Sequence, residues 1–147
     1  VTQEDRDKYK KIKTNLELYR RGKTDFSIEE LNDLKIHLLK YKDTLQTTQF
    51  FEGALKEYKI VSCFAEHFYD ELQDYMINKY GAAIVIVVIL KDKKILLKKN
   101  PKTCSLDLCA LAKLLSDGGC VDSTANIAEG NITEKFLNLT KTFKPCI

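Results

Sequence analysis

The run Ala82–Leu90 (AAIVIVVIL) constrains this chain more than any other segment. It is β-branched and apolar, and it does not alternate. A strand with one wet face alternates, so a run like this belongs to a strand covered on both faces. Ile86 and Val87 point to opposite sides and should both be buried. The chain must therefore supply helices for two sides of a sheet. The run is far short of the roughly 20 residues a membrane-spanning helix needs. It is the longest apolar run, and no membrane partner is expected.

The flanking sequence provides those helices. Lys59–Phe64 (KIVSCF) reads as a short strand, and Ala65–Tyr80 as a helix with Ala65, Phe68, Leu72 and Met76 on one face and Gly81 as its stop. Lys91–Lys94 is a polar turn, after which Ile95–Lys98 forms the other arm of a hairpin. Leu106–Leu115 reads as a helix capped by Ser105 and stopped at Gly118-Gly119. Ser123–Ala128 is expected as a last strand. Ile132–Phe143 is expected as a closing helix with Phe136, Leu139 and Phe143 inward. The fold class is α/β (α+β), a mixed β-sheet flanked by helices.

The first part of the chain has a different texture. Tyr9, Ile12, Leu16 and Tyr19 recur at helical spacing before Gly22. Ser27 and Glu30 have the spacing of a capping box, and Phe26 and Leu31 that of a hydrophobic staple. Leu31, Leu34, Leu38, Tyr41 and Leu45 form the stripe of the second helix. Two such helices make an antiparallel hairpin. The expected division is a helical linker or hairpin region at 1–56 and an α/β domain at 57–147.

Composition sets limits on function. Charged residues are 31% of the chain and the net charge is only +3, too little for a nucleic-acid protein unless the cations cluster. Val1–Lys13 has no apolar signal core, so an intracellular, cytoplasmic location is expected. A start at Val1 rather than Met is what a fragment would show. The 5 cysteines, Cys63, Cys104, Cys109, Cys120 and Cys146, have no C-x-x-C spacing and read as reduced thiols. Asn131-Ile132-Thr133 and Asn138-Leu139-Thr140 fit the glycosylation sequon, but without a secretion signal they read as chance matches.

There is no P-loop, G-x-G-x-x-G, G-x-S-x-G or H-E-x-x-H motif. His37 reads as a partly covered helix histidine. His67 shares a predicted helix face with Asp70 and Glu71, but that is too few ligands for a metal, and a surface pair is the plainer reading. Cys104, Cys109 and Cys120 match no zinc module, so small buried thiols are expected. Two features stand higher. Lys91, Lys93, Lys94, Lys98, Lys99 and Lys102 cluster around the hairpin, either as a phosphate-attracting patch or as protective edge lysines. Asp117-Gly118-Gly119-Cys120 follows a helix, either as a backbone anion cradle or as a plain C-cap.

Read together, these features resemble the C-terminal, DHH-associated domain of DHH-family phosphoesterases. That family has a strand ending S-L-R-S, often with Asn and Pro after it, then a helix of the form v-D-v-s-x-I-A-k, then G-G-G-H and x-x-A-A-G. Here Leu96-Leu97-Lys98-Lys99-Asn100-Pro101 stands at the first motif and Leu106–Lys113 (LDLCALAK) at the helix. Asp117-Gly118-Gly119-Cys120 stands at the glycine motif and Ser123–Ile127 at the last. Lys98 replaces the family arginine, Leu96 its first serine and Cys120 its histidine. The likeness covers the chain from the Lys59 strand onward.

The resemblance implies a substrate- or nucleic-acid-binding C-terminal half that is not catalytic alone. Lys98, Lys99, Gly118, Gly119 and Cys120 would face phosphate, with no catalytic or metal residue in this chain. A catalytic DHH domain in the same parent protein would carry Mn²⁺ or Mg²⁺ and activate water. The alternative is a degenerate, non-catalytic module for protein association or polyanion binding.

Overall fold

The computed structural model describes residues 2–121 and 125–147. The chain divides into two compact units, Val1–Thr47 and Thr48–Ile147.

The first unit is a helical pair, α1 (Gln3–Arg20) and α2 (Ile28–Thr47). Thr2 caps α1 in a capping box with Asp5. The expected box on α2 is formed: Ser27 N–H donates to Glu30 Oε1 at 3.0 Å and Glu30 N–H to Ser27 Oγ at 3.1 Å. Gly22, between the helices, has φ of 99°, a left-handed value that glycine takes without strain. Leu16 and Leu34 are buried. His37 is buried too, more deeply than its sequence position suggested, with its ring 5.8 Å from that of Tyr9. Leu31 and Leu38 of the expected stripe are exposed.

The second unit is a 7-stranded sheet in the order β5-β6-β4-β3-β2-β1-β7. The strands are β1 (Phe50–Leu55), β2 (Tyr58–Phe64), β3 (Ile84–Ile89), β4 (Lys94–Lys99), β5 (Gly119–Cys120), β6 (Ile127–Asn131) and β7 (Lys144–Pro145). The sheet is mixed: β2 and β3 run parallel and the other described pairings are antiparallel. The helices are α3 (Tyr69–Tyr80), α4 (Leu108–Ser116) and α5 (Glu134–Thr140).

The β3 run is central and every residue in it is buried, with Ile86 and Val87 both at 0% exposure. On one face Ile84, Ile86, Ile95 and Leu97 pack with Leu108 and Leu111 of α4 and with Phe136 of α5. On the other face α3 packs against β3 and β2, and its Leu72 and Met76 are fully buried. Burying each such side chain is worth about 1.5–3 kcal/mol, so both helical layers are needed to hold this strand.

Several boundaries differ from the sequence reading. Residues 48–56, placed with the hairpin region, instead hold β1, which pairs with β2 along its length. The helix expected from Ala65 begins at Tyr69, because Phe68 is buried in a left-handed conformation with φ of 61°. His67 is thus outside the helix, and the His67–Asp70–Glu71 helix face does not form. The fourth helix is capped by Asp107, whose Oδ1 accepts from Cys109 and Ala110 N–H, and not by Ser105, whose hydroxyl meets Tyr58 Oη at 2.9 Å. The strand expected over Ser123–Ala128 is β6, starting at Ile127; Ser123 and Thr124 lie outside the described residues. The closing helix is shorter than 132–143 and is followed by β7.

The cysteines also differ. Cys109 and Cys120 form a disulfide, so they are not the reduced thiols expected. Cys63 and Cys104 are free and buried, and Cys146 is free and partly buried.

Candidate functional site

The glycine turn is built by the end of α4. Asp117, not a glycine, stops the helix: its φ is 55°, and its N–H bonds the carbonyl of Ala112. Gly118 follows, so close to β6 that a Cβ there would collide with the Glu129 carbonyl oxygen and Gly130 Cα. Gly119 has open space where a Cβ would stand. The first glycine thus serves close backbone packing, and the second, half-buried, has no neighbour that a side chain would meet. Gly119 pairs with Glu129 and Cys120 with Ala128, which makes β5 an edge strand.

A cavity of about 480 Å³ opens at this turn. Its wall includes Asp117, Gly118, Gly119 and Cys120 on one side and Glu129, Asn131 and Lys94 on the other. Lys94 is the cation the cavity wall contains. It enters through the register of β4 on β6, where Lys94 stands opposite Asn131. Asp117 and Glu129 share this wall with Lys94, and the Gly118 N–H already donates to the Ala112 carbonyl at 3.2 Å, so any attraction for an anion comes from the Lys94 ammonium.

The structure does not bring the predicted lysines to this turn. Lys98 Nζ is 2.7 Å from Asp74 Oδ1 of α3. Lys99, one residue on, points to the opposite face, where its Nζ donates to the Leu106 carbonyl at 3.0 Å. Neither belongs to the cavity wall. Gly118, Gly119 and Cys120 do belong to it, with Cys120 held in the disulfide. Lys94 lay within the basic cluster, but only the β4–β6 register distinguishes it from its neighbours. Among the described residues, no group of three or more His, Cys, Asp or Glu side chains is placed to hold a metal ion.

No family model matches the chain. No curated protein matches it either. Among solved structures it is similar to an uncharacterised protein from Helicobacter pylori G27, at 18% sequence identity and a TM-score of 0.44. That match covers 75% of this chain, which spans 29% of the other protein. No described helix is long and apolar enough to cross a membrane.

Proposed function

We propose that the sheet unit is a phosphate-facing module of the DHH-associated kind, the C-terminal half of a metal-dependent phosphoesterase. It would bind the phosphate or nucleic-acid end of a substrate. Hydrolysis, with its Mn²⁺ or Mg²⁺, would belong to a catalytic DHH domain of the same parent protein. The observation that carries this reading is the open cavity at the glycine turn, with the Gly118–Gly119 main chain and the Lys94 ammonium on its wall. A lysine offers phosphate a point charge and not a bidentate fork, so binding should be weak and salt-sensitive.

A degenerate, non-catalytic association module is the second reading. It is favoured by the Lys98–Asp74 pair and by the disulfide at Cys120, which occupy two positions where the resembled family carries functional groups.

Fluorescence anisotropy with a short 5′-phosphorylated oligonucleotide at low salt separates the two. Under the first reading Lys94→Ala weakens binding roughly fivefold, as loss of one phosphate contact does, and flattens the salt dependence. Lys98→Ala leaves binding unchanged. Absence of binding by the unaltered chain favours the association module. Loss on Lys98→Ala alone would move the site to the α3 face.

A further inference from the structure

The Cys109–Cys120 bond ties the edge strand β5 to the first turn of α4. Cys109 lies in the first turn of α4, and Cys120 is the second residue of β5, with their Cα atoms 4.9 Å apart. Strand β5 has only two residues, of which Cys120 packs against the core from a half-buried position. Gly119 has no side chain, and Val121 just beyond is 58% exposed. Its pairing with β6, the Val121 N–H bond to the Ile127 carbonyl and, at its entry, the Gly118 N–H bond to the Ala112 carbonyl hold this strand, and the disulfide adds the covalent tie to the first turn of α4.

Helix α4 does not depend on the bond. Leu108, Leu111, Ala112 and Leu115 anchor it in the core. Its N-terminus is capped by Asp107. The bond closes a short loop, with a sequence separation of 11, so it constrains the unfolded chain less than a long-range bridge would. Both cysteines are only half-buried. Of the three free thiols, Cys63 and Cys104 are shielded and Cys146, half-buried, lies beyond β7 at the far edge of the sheet. Cys63 is fully buried, and that burial pushes its thiol up to about 12. Cys104 is buried among the α4 core residues.

We propose that Cys109 and Cys120 are a reversible dithiol–disulfide couple that latches the edge strand β5, and with it one wall of the glycine-turn cavity, to α4. The reductant is a small dithiol. Its thiolate attacks one protein sulfur, forms a mixed disulfide and releases the other cysteine as a thiolate, which takes up a proton. The second thiolate of the reagent then closes a cyclic disulfide and frees the remaining cysteine. Two electrons and two protons pass to the protein. In the oxidised state β5 is held, and in the reduced state it opens locally while the rest of the sheet stays intact.

The test uses the full chain in oxidised and reduced dithiothreitol buffers. Thiol counting after denaturation should move between three free thiols and five, with peptide mapping placing the change at Cys109 and Cys120. Amide exchange at residues 119–121 should quicken roughly tenfold on reduction, while β3 and β4 stay protected. Cys109→Ser and Cys120→Ser should each show the fast exchange without reductant. Three outcomes would overturn the proposal: five free thiols at every buffer ratio, equal exchange at 119–121 in both states, or reduction that unfolds the whole sheet.

Discussion

Gly118 and Gly119 are neighbours with opposite demands. At Gly118 the obstacle to a methyl group is main chain of β6, which cannot rotate away as a side chain would. Gly118→Ala should therefore destabilise the sheet unit by about 1–3 kcal/mol, the usual cost of overpacking. Gly119→Ala meets open space at an ordinary backbone conformation and should stay within about 0.5 kcal/mol of the unaltered chain. Urea unfolding of the two variants checks this, and equal midpoints would show that β6 moves to make room. The glycine pair was legible in the sequence as a turn. The division of labour was not, because it depends on how near β6 passes, and no local pattern encodes that distance. The same holds for the lysines. Neighbouring residues of a strand face opposite ways, so Lys98 and Lys99 could not serve one site once β4 was a strand. That much followed from strand geometry. That Asp74 would take Lys98 depends on where α3 lies.

At the scale of elements, the clearest signals were those whose cause is local. Non-alternation marked β3, and the Ser27–Glu30 spacing marked the start of α2, because each is fixed by residues a few places apart. The α2 cap also makes a pH prediction. The Ser27 backbone N–H, bound to the Glu30 carboxylate, holds that carboxyl below its ordinary value of 4.5. A group lowered in the folded state contributes stability above its unfolded value, and loses that contribution as pH falls through the folded one. Helical far-UV dichroism should thus decline from about pH 4.5 downward, and Glu30→Gln should remove this part of the pH dependence. An identical acid profile in the variant would assign the loss to other carboxylates. The elements that escaped were nonlocal. Strand β1 contains Gly53, a poor strand residue, because the ring of Phe143 occupies the space where a side chain would be. Strands β5 and β7 have two residues each, and only their pairing partners make them strands. The Cys109–Cys120 bond escaped for the same reason: it needs the chain to turn back after α4.

Over the whole molecule, the basic cluster that drew attention in the sequence is dispersed by the fold. Lys98 is paired toward α3, Lys99 is bonded on the opposite face and Lys94 reaches the glycine turn. A net charge of +3 spread in this way gives a weak and diffuse field. The sheet unit has its own core and its own helical cover on both faces. Residues 48–147 alone should therefore keep native near-UV dichroism and a cooperative thermal transition, and a molten spectrum would show that the helical pair is required. The pairing of β7 with β1 has a cost that the rest of the sheet avoids. Most neighbouring strands are joined by short turns or a single helix, whereas Phe51 meets Pro145 and Glu52 meets Lys144 across nearly the whole unit. Closing a loop of that length costs more entropy than closing the β3–β4 hairpin, and a short seam offsets it: two paired residues, the Cys146 N–H bond to the Phe50 carbonyl and the Phe143 ring over Gly53. The β1–β7 seam should consequently be the last place where the chain recovers its order after thermal unfolding, and the first where a rising temperature lets it go.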